Sequence, residues 1–356
     1  MRAFASDNYA GAHPEVLAAI AEANADHAVS YGADPWTARA KELLRAQFGE
    51  HAQPWLVFNG TAANVLSLGA LTRSWECVVT PESSHLHVDE AAAPERMADV
   101  KLLTLPTPDG KLSPAQIEPL LARQGDEHAP QVRVISIANT TELGSVYTVD
   151  ELRALAGVAH ANGLLLHIDG SRLANAAVAL GASLADITTA IGADAVSFGL
   201  TKNGALGVEA VVFLRDPAPE GFAWMRKQHA QLSSKMRFLS AQVVAMLEGD
   251  LWSRSATHAN AMAAMLAERV AGIPGVRLTR PPQANALFAV LPRAVADAVR
   301  PDFPFYTWDE ATGEVRWMCS WDTSEDDVHQ FAAALERAAA AAVPGASYAP
   351  RRTCAR

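Results

Sequence analysis

Four short loops carry side chains able to do covalent or acid–base chemistry, and each follows an apolar, β-branched run. In Ser197-Phe198-Gly199-Leu200-Thr201-Lys202-Asn203-Gly204, a lysine stands just past such a run, between glycines. An amine held there is desolvated, which lowers its pKa and makes it a Schiff-base nucleophile; the ordinary alternative is a solvated surface lysine. In His167-Ile168-Asp169-Gly170-Ser171-Arg172, a carboxylate closes the apolar run 164–168. So nearly buried a carboxylate needs a partner. Either the protonated nitrogen of a bound aromatic ring or the N-terminus of the helix starting near Arg172 would serve. Asn59-Gly60-Thr61-Ala62-Ala63-Asn64 lies between a strand and a helix, where glycine allows close approach and unpaired N–H groups face an anion. Ser84-His85-Leu86-His87-Val88-Asp89-Glu90 offers either an HxHxD metal set built on His85, His87 and Asp89 or one imidazole lying flat on an aromatic ring.

The elements that must position these loops read as an α/β layer. β-branched runs at 55–58, 77–80, 101–105, 132–137, 164–168, 195–198 and 208–214 alternate with helical patterns such as 149–161 and 172–180. That alternation predicts a mostly parallel sheet covered on both faces, with ligands beyond the carboxyl ends of its strands. Beyond residue 214 a long helical stretch, 222–271, precedes short strands at 276–278, 286–291 and 315–319 and a helix at 324–341. The expected organisation is a large domain with an N-terminal arm at 1–250, a small α+β domain at 251–345, and a loose tail at 346–356. Two more helices are expected at 13–25 and 36–49, packing across domains or subunits.

Composition narrows the function. The chain has 356 residues, half of them apolar, and a net charge of −10. So acidic a protein lacks the basic patch with which nucleic-acid binding begins, and must hold any anionic ligand by local cations. No apolar run approaches the roughly 18 residues of a membrane span, and the N-terminus has no signal-peptide h-region. The three cysteines, Cys77, Cys319 and Cys354, are too few and too scattered for a disulfide framework or a zinc site, as expected of a cytoplasmic protein.

Taken in order, the loops resemble those of fold-type I pyridoxal-phosphate (PLP) enzymes, the aspartate-aminotransferase-like superfamily. Over nearly its whole length the chain is similar to the L-threonine aldolase family of β-eliminating lyases. The resemblance rests on the four loops, with Phe4-Ala5-Ser6-Asp7-Asn8, Tyr31-Gly32-Ala33-Asp34-Pro35, Ser234-Lys235-Met236-Arg237 and Val315-Arg316. It implies a PLP fold with a mostly parallel seven-stranded sheet and a homodimer or homotetramer with shared active sites. It also assigns roles: Lys202 as the Schiff-base lysine, Asp169 on the pyridine nitrogen, His85 stacked on the ring, and Gly60 and Thr61 on the phosphate. Arg237 of a neighbouring subunit would reach that phosphate. Ser6, Arg172 and Arg316 would hold the substrate carboxylate, and no metal is implied. The implied reaction cleaves L-threonine-type β-hydroxy-α-amino acids to glycine and an aldehyde. The base is His85, a water or the cofactor phosphate. The sequence departs from many relatives in one loop, Asn139-Thr140-Thr141-Glu142, where Thr141 replaces a histidine that contacts the substrate hydroxyl. This Thr-Glu pattern looks like a branch of the family. A β-eliminating lyase, an aminotransferase and a metal-dependent hydrolase are the rival readings.

Overall fold

In the computed structural model, residues 2–215 and 218–342 are described. The expected seven-stranded sheet forms, in the order β1-β7-β6-β5-β4-β2-β3. Its strands are β1 (Gln53–Val57), β2 (Glu76–Pro81), β3 (Lys101–Leu105), β4 (Gln131–Ala138), β5 (Leu165–Gly170), β6 (Ala195–Gly199) and β7 (Glu209–Phe213). Strands β2 to β6 pair in parallel, whereas β7 runs antiparallel to both β1 and β6. Every residue of β6 and β7 is buried, as their near-continuous apolar sequences require in a sheet covered on both faces.

A second sheet, in the order β10-β11-β9-β8, is antiparallel. It contains β8 (Arg277–Leu278), β9 (Ala286–Val290), β10 (Tyr306–Asp309) and β11 (Glu314–Met318). Strand β10 was not expected from the sequence. The helical stretch 222–271 is three helices, Phe222–Gln228, Arg237–Leu247 and Leu251–Val270. The second sheet has its own apolar core, built around Trp317, Phe305 and Phe331. Phe4 belongs to that core, stacked on Phe331 with ring centroids 4.3 Å apart. The arm is fixed there by backbone bonds from Phe4 to Pro304 and from Met318 to Phe4. The helices Pro14–Glu22 and Pro35–Phe48 pack instead on the core of the large sheet. Cys77 and Cys319 are buried free thiols; Cys354 and the expected tail at 346–356 lie outside the described residues.

The close approach of two strand ends positions the site. A Cβ on Gly199, the last residue of β6, would stand 2.5 Å from the carbonyl oxygen of Ser171, in the turn after β5. Only glycine admits that spacing. Lower in the same strand, His167 is completely buried, its Nδ1 bonded to Ser136 at 2.9 Å and its Nε2 to Ser197 at 3.0 Å. Strand alternation puts it on the same face as Asp169.

Burial holds the His167 imidazole down at about 4, against 6.5 for a free histidine. Between these values the unfolded chain binds a proton that the folded chain refuses. Stability therefore falls as pH drops from 6.5 towards 4, by about 3 kcal/mol for this group. His167→Gln is expected to flatten the stability–pH curve across that window, as measured by urea unfolding at a series of pH values.

Candidate active site

The carboxyl ends of β1, β2, β4, β5 and β6 share one edge of the large sheet. Because β7 runs the other way, its first residue, Glu209, lies at that edge too, in register with Gly199 and Val57. A cavity of ≈ 390 Å³ opens there. Gly60, Thr61, His85 and Lys202 line it, joined by Asn64, Glu90, Ser171 and Glu209. Asp169 stands directly behind this lining, bonded to two of its members.

Asp169 is 5% exposed and fully engaged. Its Oδ2 accepts from Asn64 Nδ2 at 2.8 Å, and its Oδ1 accepts from the Ser171 backbone N–H at 2.9 Å and hydroxyl at 2.6 Å. Burial pushes the carboxyl up. The Ser171 hydroxyl, the Lys202 charge, the Ser171 amide and the Asn64 amide outweigh it, so the group sits below the usual aspartate value and stays ionised. Asp169 does not cap the helix Leu173–Leu180, whose N-terminus has no side-chain cap; its bonds to Ser171 close the turn before that helix.

Lys202 lies in the 3-10 turn Thr201–Asn203 after β6. Burial, then the charge of Arg172, lower its pKa; Asp7, Asp169 and Glu209 oppose the change. No hydrogen bond or ion pair engages its amine among the described residues. Such an amine has a larger neutral, nucleophilic fraction than a surface lysine.

The helix Gly60–Leu71 begins at the cavity. Asn59 caps it, its Oδ1 accepting from the Ala62 N–H at 2.9 Å. The N–H groups of Gly60 and Thr61, in the first turn, have no carbonyl of their own helix to bond. A Cβ on Gly60 would meet no atom within 4 Å, so the space over this cradle is open.

His85 is held through its ring. Its Nδ1 lies 2.9 Å from Glu90 Oε1, and the same oxygen accepts from Asn64 at 2.9 Å. Asn64 thus bridges Glu90 and Asp169 with one amide nitrogen. The Glu90 bond raises the His85 pKa. It also assigns the Nδ1 proton, leaving Nε2 free. Glu90 is itself pushed up by burial, as is Glu209, to about 7. Glu209 accepts the Leu200 N–H at 2.6 Å. Glu209 is not expected from the sequence, and Glu90 and Asn64 stand in its motifs without these roles. His87 and Asp89, in contrast, are exposed, and no metal-binding group of three His, Cys, Asp or Glu side chains forms among the described residues. The HxHxD residues diverge.

The remaining candidates are dispersed around this centre. Arg172 donates from Nε and Nη2 to Asp7 at 2.7 and 2.9 Å. Arg316, on β11, stacks 4.8 Å from the Trp308 ring centroid and donates to the Ala5 carbonyl at 3.3 Å. Ser6 caps the adjoining 3-10 turn through the Asn8 N–H, and it is Asn8 that lines the cavity. Arg237 does not line the cavity in its own chain; its Nη1 bonds to the carbonyls of Ala25 and Asp26.

The sequence matches the beta-eliminating lyase family over residues 3–293. It is 44% identical over 331 residues to the low specificity L-threonine aldolase of Pseudomonas aeruginosa, spanning 92% of this chain and 95% of that enzyme. The Saccharomyces cerevisiae low specificity L-threonine aldolase is 25% identical over 295 residues, which is 82% of this chain and 74% of the yeast one. Among solved structures, the Leishmania major threonine aldolase superposes with a TM-score of 0.90 at 32% identity, covering 96% of this chain and all of that one. An alanine–glyoxylate aminotransferase from Nostoc sp., 17% identical with a TM-score of 0.70 over 95% of each chain, shares the fold. The chain belongs to the beta-eliminating lyase family, among the relatives of the low-specificity L-threonine aldolases.

Proposed function

We propose that this protein is a PLP-dependent aldehyde-lyase that cleaves L-threonine and L-allo-threonine-type substrates to glycine and an aldehyde. The observation that carries the reading is the uncommitted Lys202 amine, within electrostatic reach of the buried, ionised Asp169 at the ends of neighbouring strands. The residues present fit the cofactor. Lys202 would hold its aldehyde carbon, Asp169 its pyridine nitrogen, the Gly60 and Thr61 amides its phosphate, and His85 one face of its ring. Once bound, PLP supplies an electron sink for the pair released at the substrate Cα.

The chain's own residues then decide which bond breaks. Arg172 and Arg316 would grip the substrate carboxylate. Arg172 keeps Nη1 uncommitted because Asp7 takes only Nε and Nη2. Holding the carboxylate would fix the rotation about Cα and so select which of its bonds breaks. With Nδ1 committed to Glu90, Nε2 of His85 would be the nitrogen that moves the β-hydroxyl proton.

Further expectations follow from the same reading. Phe58 and Leu206 line the cavity while 40% and 60% exposed, and Arg237 has no role at its own chain's site. Both favour a homodimer or homotetramer in which a second copy completes each site. The separate core of the second sheet supports domains at 1–250 and 251–345. Function in the cytoplasm is part of this reading; the described cysteines, Cys77 and Cys319, are buried and free, and no described helix is long and apolar enough to cross a membrane.

Incubation with L-threonine and PLP is expected to release acetaldehyde and glycine in equal amounts. Ammonia with a keto acid, or a requirement for a keto-acid acceptor, would instead mark an eliminating lyase or an aminotransferase. Arg316→Lys is expected to raise KM for threonine at least tenfold and to lower kcat, because an ammonium cannot reproduce the two-pronged guanidinium grip. Cofactor affinity should barely change. Equal glycine affinity in both proteins, measured by spectral titration, would remove Arg316 from the substrate site.

A further inference from the structure

The loop after β4 does not use Thr141 towards the cavity. The Thr141 hydroxyl bonds to the Ser145 hydroxyl at 2.7 Å and lies 3.3 Å from the Asp109 carbonyl. Its side chain also packs where a Cβ on Gly110 would stand, 2.9 Å away. The next residue, Glu142, reaches the His85 loop instead. Its Oε1 accepts the backbone N–H of His85 at 2.8 Å. Ser84 occupies the capping position of the short helix His85–Val88, yet its hydroxyl is buried and unbonded. The capping bond comes instead from Glu142, 57 residues further along the chain. The other oxygen of Glu142, Oε2, is buried without a partner.

We propose that Glu142 is a positioning residue for His85: its carboxylate pins the backbone at the start of the His85 helix, while Glu90 pins the imidazole, so that together they fix where Nε2 stands. The proposal rests on the reading of His85 given above. Burial that leaves Oε2 without a partner makes Glu142 an expensive group to retain for stability alone. It gives the His85 loop a rigid attachment to β4 that a residue of the loop itself does not supply. The charged and titratable groups acting on this carboxyl are His85, Asp169, Arg172 and Tyr147. Burial pushes it up to about 7. Above that pH the ionised form holds the His85 N–H most strongly, and below it the grip weakens as the carboxyl takes up a proton.

The test uses the PLP-loaded enzyme with Glu142→Ala, Glu142→Gln and His85→Ala side by side. The readouts are kcat, KM for L-threonine, the rate–pH profile, and the affinity of stripped protein for PLP followed by absorbance. Glu142→Ala is expected to lose about 100-fold in kcat, the scale of a 1 Å misplacement near the chemistry, and to bind PLP more weakly, as is expected of His85→Ala. Glu142→Gln keeps an acceptor oxygen for the His85 N–H. It should recover most of the loss while lacking the wild-type step near pH 7. Unchanged kinetics and PLP affinity in Glu142→Ala, with His85→Ala impaired, would overturn this proposal alone. A silent His85→Ala would overturn the reading of His85 and this proposal with it. Should Glu142→Ala fail to fold, Glu142→Asp decides: its shorter side chain withdraws the acceptor from the His85 N–H, so a fall in kcat and PLP affinity supports the positioning role and wild-type values refute it.

Discussion

A buried carboxylate that must remain ionised is the constraint around which this protein is arranged. Asp169 is out of water at the end of a central strand, where an isolated charge would take up a proton. Three hydrogen bonds and a nearby lysine prevent that. Each support requires a separate piece of the fold. Ser171 is delivered by the turn after β5, Asn64 by the helix that follows β1, and Lys202 by the turn after β6. Gly199 is what lets the last of these close on the first, since any Cβ there would collide with the Ser171 backbone.

The same edge gathers further acids. Glu90, Glu142 and Glu209 each lie at or behind the cavity, and burial raises all three. Against them stand Lys202, Arg172 and Arg316, the last two tied to arm residues Asp7 and Ala5. Buried groups of both signs give a zwitterionic amino acid cationic and anionic partners to meet. The arm has a structural purpose as well: Phe4 completes the core of the second sheet while Asp7 orients an arginine beside the first. The two sheets are therefore linked through the arm, whose Asp7 and Ala5 hold the two arginines proposed for the substrate carboxylate.

Much of this was legible in the sequence, for local reasons. Strands buried on both faces leave long β-branched runs, so the large sheet and the loops at its carboxyl edge could be found from pattern alone. Strand β10 could not, because Tyr306-Thr-Trp-Asp309 is a short edge strand with mixed polarity. The helical stretch 222–271 concealed two breaks, at 229–236 and at 248–250, whose residues do not interrupt the apolar spacing sharply. At the site, loops carrying an obvious nucleophile or imidazole stood out. Their supports did not, since the bond from Asn64 to Asp169 spans 105 residues and that from His85 to Glu142 spans 57. Glu209 was invisible for another reason. Nothing in its neighbourhood reveals that β7 runs antiparallel, and direction alone places its first residue at the active edge.

Lys202, desolvated near Asp169 and without a hydrogen-bond partner among the described residues, is the amine proposed to carry the cofactor. Reconstitution with PLP, borohydride reduction and peptide mapping by mass spectrometry tests it most directly. The expected result is one phosphopyridoxyl group per chain, on Lys202. A group on Lys227 or Lys235 with Lys202 unmodified, or no stoichiometric labelling at all, would contradict it.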